Sequence, residues 1–148
     1  MTNSMNREIK VLFICHGSIC RSAAAEMVLK QMAREAGRRD LLIASAAATR
    51  EEIGNDVYPP MKKALQAAGY ACEPHAARQT TRSDYEQWDY IIGMDDENMW
   101  DMKRIYGGDP DGKLSMLLSW AGTCSPDRSE RLATTQRNIT NKERRDPL

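Results

Sequence analysis

The chain of 148 residues is predicted to form one α/β domain, a central four-stranded parallel sheet flanked by helices on both faces. Strand-like and helix-like segments alternate along the first 122 residues, the length suits a single core, and a loop rich in chemistry joins the first strand to the first helix. Ile9-Lys10-Val11-Leu12-Phe13-Ile14 is β-branched and aromatic enough for a buried strand. From Ser22 to Met32 strong helix formers follow, with Ala25, Val28, Leu29 and Met32 expected on the buried face. Leu41 to Ser45 is the second strand and Pro59 to Ala68 a helix. Asp89 to Met94 is the third strand, and Asp95, with Asp96 and Glu97, suits the cap of a helix running to Tyr106. The last strand is predicted from Lys113 to Leu118.

Beyond Gly122 the composition changes. Residues 123–148 contain no Phe, Tyr or Trp, three large aliphatics (Leu132, Ile139, Leu148) and six Lys or Arg. Threonine and asparagine break any apolar stripe there, so a domain of residues 1–122 and a mobile or poorly packed polar tail of 123–148 are expected. With a covering helix missing, apolar sheet surface would be left open, and self-association is one way to bury it.

The junction Cys15-His16-Gly17-Ser18-Ile19-Cys20-Arg21-Ser22 is the candidate active site. A loop between a strand and a helix N-terminus turns its backbone N–H groups towards one point, and the helix end adds partial positive charge. That is a phosphate cradle. A cysteine beside it, with a guanidinium near, is favoured as thiolate over thiol, which makes Cys15 a nucleophile. Arg21 presents a planar fork suited to two phosphoryl oxygens, and Ser22 is placed to donate its hydroxyl to the Cys15 sulfur. His16, Gly17, Ser18, Ile19 and Cys20 complete the oxyanion-binding loop. Cys20 is near enough in sequence for a reversible disulfide with Cys15 or for plain packing, and spacing alone does not choose.

Lys plus Arg equals Asp plus Glu at 21 each, so no basic field points to nucleic acid. No apolar run approaches a membrane span and the first ten residues lack the apolar centre of a signal peptide, so a cytoplasmic protein with no membrane partner is expected. Cys15, Cys20, Cys72 and Cys124 lack zinc-site spacing, and His16 and His75 are too few for a metal centre.

These residues resemble the low-molecular-weight protein tyrosine phosphatases of bacterial type. Besides the loop, the resemblance is carried by Ser45-Ala46-Ala47-Ala48-Thr49, by 51–60, by His75-Ala76-Ala77-Arg78-Gln79 and by Asp89 to Asp95. It implies hydrolysis of phosphotyrosine or small aryl phosphates through a cysteinyl-phosphate, with inorganic phosphate as product and with no metal or organic cofactor. It also implies that Cys15 attacks, that Arg21 and the loop bind the phosphoryl group, that His75 buttresses the loop, and that a distant aspartic acid protonates the leaving group.

The chain departs from the family in three places. Ser18 replaces the usual bracing Asn, and Glu51 stands where some members carry an aromatic wall. The Asp-Pro-aromatic segment that holds the family's acid is absent, and Asp127 in Ser125-Pro126-Asp127-Arg128 is the nearest candidate. Two alternatives follow: a catalytically weak oxyanion-binding protein lacking the acid loop, or an arsenate reductase, which would need a closely spaced downstream cysteine pair.

Overall fold

The computed structural model describes residues 7–121. The proposed tail, Cys124 and Asp127 lie outside them. Four strands, β1 (Ile9–Cys15), β2 (Leu41–Ala47), β3 (Tyr90–Gly93) and β4 (Leu114–Met116), form one parallel sheet in the order β2-β1-β3-β4. Four α-helices accompany them: α1 (Arg21–Glu35), α2 (Pro59–Ala67), α3 (Asp84–Gln87) and α4 (Asp96–Tyr106).

The period of two in β1 sends its side chains to opposite faces and builds two cores. Leu12 and Ile14 pack with Ile91, Tyr85, Trp88, Met102 and Tyr106 on the side of α3 and α4. Val11 and Phe13 pack with Ile43, Ile92 and Ala33 on the side of α1, where Ala25 and Leu29 join them. The sheet is therefore covered on both faces, as the uninterrupted apolar run of β1 requires. A third cluster, Ala23, Met27, Val57 and Leu65, locks α1 to α2.

Because β1 is flanked by β2 on one side and β3 on the other, the chain leaves its C-terminal end at the point where the winding of the sheet reverses. The loop after Cys15 occupies that crevice. Gly93, at the end of β3, is demanded by close packing: a Cβ there would lie 3.0 Å from Met102 Cε and 3.1 Å from Asn98 Cβ. This lets α4 settle against the sheet and bring its N-terminus to the loop.

Two expectations need correction, and one helix is new. Of the Ala25-Val28-Leu29-Met32 stripe the first three pack against the core, but Met32 is 53% exposed, and the fully buried residues of α1 are Ser22, Ala23, Glu26, Met27 and Ala33. The helix sits in the angle between the sheet and α2, and its innermost line carries polar groups that hydrophobic periodicity does not register. The final strand stops at Met116, and Leu117–Trp120 form a 3-10 turn. Ser119 Oγ donates to the Met116 carbonyl at 2.6 Å and Trp120 Nε1 to Ser115 Oγ at 2.9 Å, which curls the chain away from the ladder. Helix α3 was not expected; its first residue, Asp84, organises it through polar contacts described below.

Candidate active site

The loop Cys15–Arg21 takes its shape from where its carbonyls are tied. Ala48 N–H donates to the Cys15 carbonyl at 2.9 Å, and the Thr49 N–H and hydroxyl donate to that of His16 at 3.1 and 3.0 Å. His75 Nε2 lies 2.6 Å from the Ser18 carbonyl, and Tyr58 N–H donates to that of Ile19 at 2.8 Å. Ala24 N–H takes the Cys20 carbonyl at 2.9 Å as the first bond of α1. In a trans peptide the following N–H points opposite to the carbonyl. Outward-tied carbonyls at His16, Ser18 and Ile19 thus turn the N–H groups of Gly17, Ile19 and Cys20 inward.

Cys15 is buried, at 3% exposure. Ser18 N–H donates to Cys15 Sγ at 3.2 Å, and Sγ and Ser22 Oγ are 3.1 Å apart. Ser22 Oγ also bonds Ser18 Oγ at 3.0 Å. Ser18 is fully buried with φ +58, the left-handed region that an L side chain rarely enters. A Cβ at Gly17 would meet Glu52 Cγ at 2.9 Å, so the Glu52 side chain would have to shift to admit it. Cys15, Cys20 and Cys72 are free thiols. Burial pushes the Cys20 thiol up, the neighbouring Cys15 adds to this, and Arg21 opposes it.

Arg21 opens α1, and its Nη1 donates to Asp95 Oδ2 at 2.7 Å. Asp95 does two jobs. Its Oδ1 accepts from Asn98 N–H at 2.8 Å while Asn98 Oδ1 accepts from Asp95 N–H at 3.3 Å, a reciprocal cap of α4. Its other oxygen holds the guanidinium. The capping role was legible in the sequence; the pairing with Arg21 was not, since 74 residues separate them.

His75 is backed by a buried carboxylate. Its Nδ1 lies 3.9 Å from Glu26 Oε1, and Glu26 also receives Ser45 Oγ at 2.5 Å and Lys30 Nζ at 2.6 Å. This is the polar inner line of α1. Glu26 escaped sequence reasoning because a carboxylate in a helical pattern normally marks the solvent face. At the rim, His16 Nε2 is paired with Glu51 Oε2, and His16 Nδ1 is 3.9 Å from Glu97 Oε1.

Among the described residues no group of three or more His, Cys, Asp or Glu side chains is placed to hold a metal ion. No described helix is long and apolar enough to cross a membrane.

Fold and site together define an α/β protein carrying a buried thiol in the loop at the switch point of its sheet. The profile of the low molecular weight phosphotyrosine protein phosphatases matches residues 10–130. Low molecular weight phosphotyrosine protein phosphatase 1 of Drosophila melanogaster is 38% identical over 109 residues, covering 74% of this chain and 68% of that protein. Low molecular weight protein-tyrosine-phosphatase YfkJ of Bacillus subtilis is 32% identical over 113 residues, covering 76% and 72%. The crystal structure of YfkJ superposes with a TM-score of 0.75 at 24% identity, covering 95% of this chain and 98% of that one, a likeness of fold. The crystal structure of Primo-1 gives 0.69 at 35% identity, covering 81% and 77%. The chain belongs to the low molecular weight phosphotyrosine protein phosphatase family, and it is an enzyme of the protein-tyrosine-phosphatase class.

Proposed function

We propose that the enzyme hydrolyses phosphotyrosine in proteins, and small aryl phosphates, through a cysteinyl-phosphate intermediate. The observation that carries this reading is the outward tethering of the loop carbonyls, which leaves inward N–H groups around Cys15 Sγ. A phosphoryl group seated there meets N–H donors already in place, so little reorganisation accompanies charge development. Cys15 attacks phosphorus. The loop His16–Ser22 and the Arg21 guanidinium receive the equatorial oxygens, and Asp95 holds Arg21 in its rotamer. Ser22 Oγ steadies the sulfur when the intermediate breaks down, and His75 buttresses the loop through the Ser18 carbonyl. Water then releases inorganic phosphate. The leaving phenol needs a proton from the mouth of the loop, and the resemblance to the family offers Asp127.

Free thiols at Cys15 and Cys20 suit a reducing compartment, which favours a cytoplasmic site of action. Leu117, Leu118 and Trp120 are exposed beside β4, and Tyr90 stacks edge-on against Trp120, so this flank is the surface through which two copies would associate. The arsenate reductase alternative draws no support, since Cys72 is the one cysteine between Cys20 and Cys124.

The decisive experiment is hydrolysis of 4-nitrophenyl phosphate by wild type and Cys15→Ser, with acid-quenched protein examined for phosphocysteine. The expected outcome is a mass increment on the Cys15 peptide in wild type and a loss of turnover of about a thousandfold or more in the variant. Turnover that survives Cys15→Ser overturns the mechanism. Oxyanion binding without turnover in wild type would select the binding-protein alternative.

A further inference from the structure

The exposed part of the loop is flanked by carboxylates that come from two separate elements. His16 and Gly17 follow the buried Cys15 directly, and His16 is the exposed residue of the turn. Glu51 and Glu52, in the segment after β2, meet these two residues. Glu51 Oε2 is paired with His16 Nε2, and the Glu52 stem lies where a side chain on Gly17 would stand. Glu97, in the first turn of α4, approaches the same ring, its Oε1 3.9 Å from His16 Nδ1. Since β2 and β3 lie on opposite sides of β1, the segment after β2 and the helix after β3 close on the loop from opposite flanks. The Glu51 and Glu97 side chains are 65% and 68% exposed.

Asp40, Asp56, Glu73 and Asp84 each have an Arg or Lys partner. Among the described residues, no Arg or Lys forms a salt bridge with Glu51, Glu52 or Glu97. Glu52 Oε2 accepts from the Asn55 amide at 2.6 Å, and Arg50, the cation next in sequence, turns to Gln79 Oε1 at 3.2 Å. Carboxylates placed so beside a cradle for a phosphoryl group repel that guest unless it brings positive charge with it. We propose that Glu51 and Glu97 are specificity-determining residues that select phosphotyrosine lying among lysines or arginines; the proposal rests on the phosphatase reading above. The phosphoryl group enters the cradle, and cations on either side of it in the same peptide meet the two carboxylates on the two flanks of His16. An acidic flank meets like charge and is turned away, so one pair of side chains both attracts and rejects. Both carboxylates are exposed, so each pairing is modest and weakens as salt is added.

The test uses one phosphotyrosine peptide synthesised with lysine, asparagine or glutamate on both sides of the phosphotyrosine, and compares kcat/KM in the full chain. In wild type the lysine peptide is expected to exceed the glutamate peptide by about tenfold or more at low salt, with the asparagine peptide between them and the contrast shrinking as salt rises. Glu51→Gln and Glu97→Gln are each expected to reduce the contrast by about threefold and the double variant to remove most of it, while kcat for 4-nitrophenyl phosphate, which has no flanks, stays near wild type. Glu51→Asp, which keeps the charge, is expected to keep the contrast. Glu35→Gln serves as control, since Glu35 ends α1 about 20 Å along the helix from Arg21. A wild type that shows no preference for the lysine peptide overturns the proposal, as does a contrast that survives in the double variant or falls equally in Glu35→Gln. Should Glu51→Gln fail to fold by circular dichroism, Glu97→Gln decides alone, an unmoved contrast counting against the proposal. Hydrolysis that does not depend on Cys15 is a separate outcome: it overturns the phosphatase reading, and equal binding of the three peptides, measured by calorimetric titration, then overturns the selection as well.

Discussion

Ser18 concentrates several demands on one position. It occupies left-handed backbone with a side chain, is fully buried, gives its N–H to Cys15 Sγ and its carbonyl to His75, and bonds Ser22 through its hydroxyl. Ser18→Ala keeps the strained backbone and removes the hydroxyl, so stability is expected to fall by about 1–2 kcal/mol. A drop in kcat with KM nearly constant is expected alongside, checked by thermal melts and aryl phosphate kinetics. Asn, which tolerates the left-handed region better than Ser, is expected at this position to raise the melting temperature. Most of the loop was readable in the sequence, because a cysteine and a cation at either end of one turn are neighbours in the chain. The groups that shape it were harder to see: Thr49, Tyr58 and Asp95 act through contacts fixed only when β2, α2 and α4 are assembled.

At the scale of elements, the segment that delivers His75 depends on Asp84. The buried Asp84 carboxylate accepts from Arg78 at 2.9 and 3.1 Å, from Thr80 Oγ1 at 2.7 Å and from Thr81 N–H at 2.9 Å, while Thr80 also meets Tyr106 of α4. Burial pushes its pKa up, but Arg78, the Thr81 amide and Thr80 outweigh this and hold the carboxyl below its usual range. A folded value below the unfolded one gives stability that is present above about pH 4 and lost as pH falls through the folded value. Asp84→Asn is expected to cost about 2 kcal/mol at neutral pH, Arg78 being partly exposed, and to flatten the acid limb of the melting curve.

Tyr106 sets the other limit. Burial, partly offset by Thr80, pushes its phenol up to about 12. The unfolded phenol ionises first, so stability falls as pH rises from about 10 to 12, and Tyr106→Phe is expected to remove that dependence. Strand and helix types were legible from periodicity and propensity. Helix α3 was not, because its four residues are held by a polar network and no amphipathic pattern of that length exists.

For the molecule as a whole, β1 is both the axis of the core and the stalk of the active site. Leu12 is fully buried at its centre, so Leu12→Ala is expected to cost about 3–4 kcal/mol and to abolish activity by unfolding rather than chemistry, seen as parallel loss of ellipticity and turnover. Association through the Tyr90–Trp120 flank is checked by sedimentation over a range of concentrations; a mass that stays at the monomer value to high micromolar concentration counts against it. Architecture followed from alternating elements, whereas the end of β4 did not, because Leu117 and Leu118 look like strand residues until the Ser119 and Trp120 side chains bend the chain.

The groups outside the loop that tie its carbonyls and its arginine all lie between Ala24 and Asp95. Under the proposed function, affinity for a tetrahedral or trigonal guest such as vanadate is expected to come from the front two-thirds of the polypeptide. Sequence drift beyond β4 is then expected to leave the grip on the anion in place, which vanadate inhibition of variants altered after Met116 would check.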